Sequence, residues 1–161
     1  MPPEKQDYLL RLLEELGRFI SEIGRYREQG SHDAALVGVI QAQERLFSRP
    51  AEQFLGRPFE EQIRLLTLGE IPAMAREKCL AYAVLVAEAG RTYLARGQTA
   101  IAAGAYQLAL QIILHISERF PASDVVCARA EIEVLFDLPP DEVLADRISG
   151  LLRQLKAPGY H

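Results

Sequence analysis

His115 and Glu118 stand three apart, a spacing that puts an imidazole and a carboxylate on one face of a helix, where two metal ligands would stand. No second histidine–carboxylate pair accompanies them, and neither Cys79 nor Cys127 has a nearby Cys or His in ligand spacing. His32 falls in the first turn of a helix and His161 is the last residue of the sequence. Carboxylates pair at Glu14-Glu15, Glu60-Glu61 and Glu131/Glu133, an arrangement that serves acid–base chemistry when a cleft forces the two pKa values apart. Each of these pairs has arginine neighbours on an amphipathic stretch, which predicts a solvated face instead. Cys79 lies among Leu80, Ala81 and Ala83, apolar neighbours that raise a thiol's pKa and leave it a core residue. A Gly-rich phosphate loop, a nucleophile elbow and a zinc-protease motif are all missing. These residues predict no catalytic group, no metal and no cofactor.

Proline and glycine cut the chain into helical lengths, and no segment alternates as a strand would. The first helix is expected from about Asp7 to Gln29, with Leu9, Leu13, Leu16, Ile20 and Ile23 as one apolar seam. Leu12, Phe19 and Tyr26 widen that seam, while Glu14, Arg18 and Glu22 pair along the other side. Gly30 ends this helix, and Ser31 is the expected N-cap of a second, which runs to Arg49 before Pro50. Residues 50–71 form an insertion with one short amphipathic helix carrying Phe59, Ile63 and Leu66. A third long helix is expected from Pro72 to Arg96 and a fourth from Gln98 to Phe120, with Pro121 as its stop. Two more follow within residues 121–156, striped by Val125, Ala128, Ile132 and Leu135, then by Leu144, Ile148, Leu151 and Leu155.

Composition narrows the function classes. With 49% hydrophobic and 25% charged residues and a net charge of −4, the chain has the balance of one globular domain. No block of like charge supplies the footprint that nucleic acid requires. The N-terminus lacks the basic start and apolar run of a signal peptide, so a cytoplasmic location is expected. Residues 97–117 carry no full charge, yet Gln107, Gln111 and His115 recur four apart on one helical face. Lipid would disfavour that face, and the stretch is expected to be a soluble core helix with no membrane partner.

Internal repetition is the most informative pattern. Gly90, Tyr93, Gly97, Ala102, Tyr106 and Ala109 follow one another at offsets of 3, 4, 5, 4 and 3, straddling the break between the third and fourth long helices. These residue types at these spacings resemble the tetratricopeptide repeat. Gly97 suits the left-handed turn between two helices. Gly90, Ala102 and Ala109 let the helices approach closely, and Tyr93 and Tyr106 fill the space between hairpins. Val86 replaces an aromatic, and the terminating proline arrives late, at Pro121. The same offsets around Gly30 give Ile23, Tyr26, Gly30, Ala35, Val39 and Ala42, a divergent copy. Residues 7–116 also resemble an uncharacterised group of small bacterial tetratricopeptide-like proteins. That likeness rests on Asp7-Tyr8-Leu9-x-Arg11, on Arg27-Glu28-x-Gly30 with Ala34-Ala35-Leu36, and on Ala81 through Leu110.

The resemblance implies an all-α fold: a right-handed superhelix of hairpins at 7–49 and 72–120, with a C-terminal helix pair at 121–156 as cap. It further implies a non-catalytic protein-interaction module whose inner surface is lined by the first helix of each hairpin. Carried over position by position, the contact residues are Ile20, Arg27, Val84, Arg91 and Leu94, in an apolar groove with Arg27 and Arg91 at its margin. Such a groove suits an amphipathic helix, from a partner or from this chain itself. Ile20 and Gly24 stand where chaperone-binding repeats place Lys and Asn, so a carboxylate clamp is not expected. Two hairpins barely suffice for a stable array, which predicts either capping by the tail or homodimerisation through the first helix. The alternative is a ligand- or metal-binding bundle with His115, Gln111 and Glu118 around a pocket.

Overall fold

The computed structural model describes residues 3–119, an all-helical arrangement with no strand among them. The helices are α1 (Pro3–Glu28), α2 (His32–Phe47), α3 (Phe59–Thr67), α4 (Pro72–Ala95) and α5 (Thr99–Arg119), with a 3-10 turn at Ala51–Gln53. The expected helix pair at 121–156 lies outside the described residues. Helix α1 starts earlier than expected, because Pro3 fits a first helical turn and nothing between it and Asp7 breaks the helix. Its seam is buried at Leu9, Leu12, Leu16 and Ile23, each contributing about 1.5–3 kcal/mol of hydrophobic stabilisation. Thr99–Ile116 is long and apolar enough to cross a membrane; here it lies along α4.

Helices α1 and α2 form one hairpin, α4 and α5 the other, and α4 packs against both members of the first. The two hairpin junctions are made the same way. Gly30 has φ +77° and Gly97 φ +82°, the left-handed region that a Cβ disfavours. At the first junction Ser31 N–H donates to Tyr26 O at 2.8 Å, Gly30 N–H to Arg27 O at 3.1 Å, and Ala35 N–H to Ser31 O at 3.0 Å. At the second, Gln98 N–H donates to Tyr93 O at 2.9 Å, Gly97 N–H to Leu94 O at 2.9 Å, and Ala102 N–H to Gln98 O at 3.0 Å. Each junction thus closes the helix end with a bond that reaches five residues back. Ser31 occupies the N-cap of α2, but its side chain makes no capping bond, contrary to expectation; the junction is held by backbone groups.

Small residues set how closely the paired helices approach. A Cβ built on Gly90 would lie 2.4 Å from Tyr106 Cε1, so the Tyr106 ring rests directly on the α4 backbone. Tyr106 therefore packs inside the second hairpin, with Arg27 of the first hairpin near enough to act on its phenol. In the first hairpin the glycine sits on the opposite helix: a Cβ on Gly38 of α2 would lie 3.0 Å from Ile23 Cγ1 of α1. Ala35, Ala42, Ala102 and Ala109 are all buried at these seams.

The insertion is anchored by aromatics. Phe47 at the end of α2 stacks on Phe54, with centroids 4.1 Å apart, and meets Tyr82 of α4 edge-on at 5.1 Å. Tyr82 donates its hydroxyl proton to Gln62 Oε1 at 2.7 Å, and Gln62 Nε2 donates to Phe54 O at 3.1 Å. That chain of contacts seats α3 against α4 through Gln62, Ile63 and Leu66. With α1, α2, α3 and α5 around it, α4 has no exposed position from Met74 to Leu94.

Two glycine substitutions test the packing with opposite signs. Gly90→Ala is expected to lower unfolding free energy by about 1–3 kcal/mol, because Tyr106 must leave its seat. Gly104→Ala, exposed within α5 with nothing near its added Cβ, is expected to raise it by about 0.5–1 kcal/mol. Chemical denaturation reads both; equal shifts would place Tyr106 elsewhere.

Candidate functional site

Three charged side chains meet where the hairpins join. Arg27 comes from the last turn of α1, where a cation complements the helix dipole. Its Nη1 donates to Glu88 Oε2 on α4 at 2.6 Å. Arg91, one turn along α4, donates from Nη1 to Glu88 Oε1 at 2.9 Å, so each carboxylate oxygen receives its own guanidinium. The Glu88 side chain is only 9% exposed, against 20% and 23% for the two arginines. Thr92 Oγ1 donates to the Glu88 carbonyl oxygen at 2.9 Å. Tyr106 lies within reach of the same charges: burial pushes its phenol up, Arg91 and Arg27 pull it back, and Glu88 adds to the rise.

This cluster is built to position helices. Both oxygens of the carboxylate accept from guanidinium groups carried on two different helices. Breaking such a pair is costly because a buried charge is left behind, even where the intact pair adds little net stability. The cluster ties the C-terminal end of α1 to the middle of α4 and so fixes the register of one hairpin against the other.

The five expected contact residues are all half-buried. Arg27 and Arg91, expected as separate cations at the margin of an apolar groove, share one carboxylate within the seam between α1 and α4. Ile20 and Leu94 pack against the core from its edge. Glu88 was not singled out from sequence. Its signal is a lone acidic residue, three before an arginine, in a helix whose other positions nearby are Ala, Val and Gly.

The remaining candidate groups are committed to packing. Cys79 is fully buried, and burial pushes its thiol up to about 12, so it is protonated and unreactive near neutral pH. His115 meets Phe59 of α3 edge-on at 5.7 Å, and burial and Arg119 lower its pKa against the opposing pull of Glu118 and Glu60. Gln111 and Glu118 are exposed, so they do not enclose a pocket with His115. Glu15 pairs with Arg45 at 2.9 Å and Glu61 with Arg57 at 2.6 Å, while Glu14 and Glu60 are exposed. Glu131, Glu133, Cys127 and His161 lie outside the described residues. Among the described residues no group of three or more His, Cys, Asp or Glu is placed to hold a metal ion. Between α1 and α2 a recess of about 290 Å³ opens among Phe19, Tyr26, Ala34 and Val37, with Val37 and Ile40 exposed.

No family model matches this chain, and neither a curated protein nor a solved structure matches it.

Glu88→Gln is expected to destabilise the fold by about 2–3 kcal/mol, somewhat less than a fully buried pair because both arginines retain access to water. A double-mutant cycle with Arg27→Met should return a coupling well above about 0.5 kcal/mol; additive effects would deny the contact. His115 has its own linkage. Its folded pKa is lowered, so protonation favours the unfolded chain: its contribution is intact above the ordinary imidazole value and is lost as pH falls through the lowered one. His115→Phe, which keeps an aromatic ring beside Phe59, is expected to flatten thermal stability across that acidic window, as followed by melting curves from pH 7 to pH 5.

Proposed function

We propose that this chain is a tetratricopeptide-like interaction module without catalytic activity, a right-handed array of two hairpins whose inner surface receives an amphipathic helix. The observation that carries the proposal is the repetition of the hairpin junction. Tyr26, Gly30, Ser31 and Ala35 have counterparts in Tyr93, Gly97, Gln98 and Ala102, 67 residues further along, joined by the same three backbone hydrogen bonds. The packing order agrees with a hairpin array, since α4 touches both α1 and α2 while α5 touches α4. In such an array the first helix of each hairpin lines the inner surface, which gives that role to Ile20, Arg27, Val84, Arg91 and Leu94. Ile20, Val84 and Leu94 supply apolar contact for the occupant, and the two arginines at one end favour a partner with carboxylates nearby.

The chemistry of the cluster weighs against an enzyme. Its carboxylate is bonded on both oxygens to arginines, and outside the cluster the buried thiol is protonated and the imidazole meets a phenylalanine edge-on. A binding surface made of side chains that already hold the fold together is rigid, which reduces the ordering cost of association.

Affinity capture with crosslinking, using the chain in cells of its own source, tests the proposal through two sets of variants. A partner retained by the unmodified chain should fall by about tenfold or more with Val84→Glu or Leu94→Glu, compared at temperatures where circular dichroism shows each variant folded. It should be unaffected by Val37→Glu in the recess between α1 and α2. The reverse pattern would move recognition to that recess and overturn the assignment of the inner surface.

A further inference from the structure

We infer that the exposed side of α1 receives a second copy of this chain, in an antiparallel two-fold pairing that seats Tyr8 of each copy in the recess between α1 and α2 of the other.

A free face comes first. Among the described elements α1 touches α2 and α4, and its remaining side faces water. Along that side Asp7, Arg11, Glu14, Arg18, Glu22 and Arg25 follow at spacings of 4, 3, 4, 4 and 3, all exposed. Steps of three and four keep them on one face of the helix. Their signs alternate strictly, from negative at Asp7 to positive at Arg25.

Charge order names the occupant. A row that begins with one sign and ends with the other is complementary to its own reverse, which is what a two-fold interface demands. Laid antiparallel with middles together, a second α1 sets Asp7 opposite Arg25, Arg11 opposite Glu22 and Glu14 opposite Arg18, and the two-fold axis repeats each pair. A parallel copy would set like against like along the whole row, which disfavours it. Within one chain Glu22 already meets Arg25 at 3.5 Å, but these side chains are 51% and 61% exposed. A pair so solvated holds neither group back from a partner.

The apolar contact fits the same register. Exposed ion pairs orient partners more than they bind them, so the dimer needs an anchor. Tyr8 is 41% exposed, with its hydroxyl turned toward Arg45 of α2. It precedes Phe19 by about three helical turns and Tyr26 by about five, so all three share the edge of α1 that borders α2. Further along that edge lies the recess, lined by Phe19, Glu22, Tyr26 and Val37. In the antiparallel register Tyr8 of one copy comes opposite Gly24 of the other, between Glu22 and Tyr26 at the mouth of the recess. Two identical knobs thus face two identical holes.

Light scattering of the full chain after size exclusion, loaded at about 1–100 µM, is expected to show a dimer at the upper end. Two double variants then test the charge order: Arg18→Glu with Arg25→Glu, and Asp7→Lys with Glu14→Lys. Each alone sets like charges opposite and is expected to be monomeric, while an equimolar mixture of the two restores the dimer. Tyr8→Ala leaves the charged row intact and is expected to weaken dimerisation about tenfold or more, a readout that serves should either double variant fail to fold. A chain that stays monomeric at every concentration overturns the inference. So does a double variant that dimerises unaided, a mixture no more dimeric than its components, or a Tyr8→Ala chain that dimerises like the original.

Discussion

Between Met74 and Leu94, α4 presents nothing fully to solvent, and a helix apolar on nearly every side is stable in water only when it is surrounded. That constraint organises the described part of the molecule. Helix α5 runs along one side of α4, α1 and α2 along another, and the insertion bends so that α3 closes a third. Some polar groups on α4 are satisfied inside the packing, and three of them hold a neighbouring segment in place. Lys78 reaches Glu70 at 3.0 Å, Tyr82 reaches Gln62, and Glu88 takes Arg27. Apolar burial supplies the driving force, while these polar pairs favour one arrangement, since separating any of them would leave a buried donor or a buried charge unpaired.

The glycines show how the two hairpins answer one geometric demand from opposite sides. Where α4 and α5 touch, the small residue is Gly90 on the first helix and the large one Tyr106 on the second. Where α1 and α2 touch, the large residue is Ile23 on the first helix and the small one Gly38 on the second. Position 23 corresponds to position 90 in the repeat, so at one equivalent site a glycine and an isoleucine exchange roles. This is the physical reason the first hairpin matches the repeat pattern only in part. Close packing needs a small residue opposite a large one, and the pattern specifies only one of the two ways to arrange them.

What could be read from the residues follows the same division between local and distant demands. Gly30 and Gly97 were legible as helix ends because a left-handed backbone is a local requirement with a residue type attached. Ala35, Ala42, Ala102 and Ala109 were legible as seam residues because their spacing repeats. Cys79 was legible as a core thiol from its apolar neighbours, and its raised pKa follows from the same surroundings. The Arg27–Glu88 pair was not legible, because its partners are 61 residues apart and each looks like an ordinary surface charge within its own helix. The anchoring of the insertion was hidden in the same way: Phe47, Phe54, Gln62 and Tyr82 come from four different segments, and no local pattern joins them.

The charged cluster fixes how the two hairpins sit against each other. Glu88 is held by arginines on two helices, one of them from the other hairpin, so the carboxylate reports whether the hairpins sit in register. Shifting α1 along α4 by one turn, about 5.4 Å, would separate Arg27 from Glu88 and leave a carboxylate in the seam with one partner instead of two. The seam between α1 and α4 therefore has one low-energy register, and the ion pairs single it out from its neighbours one turn away.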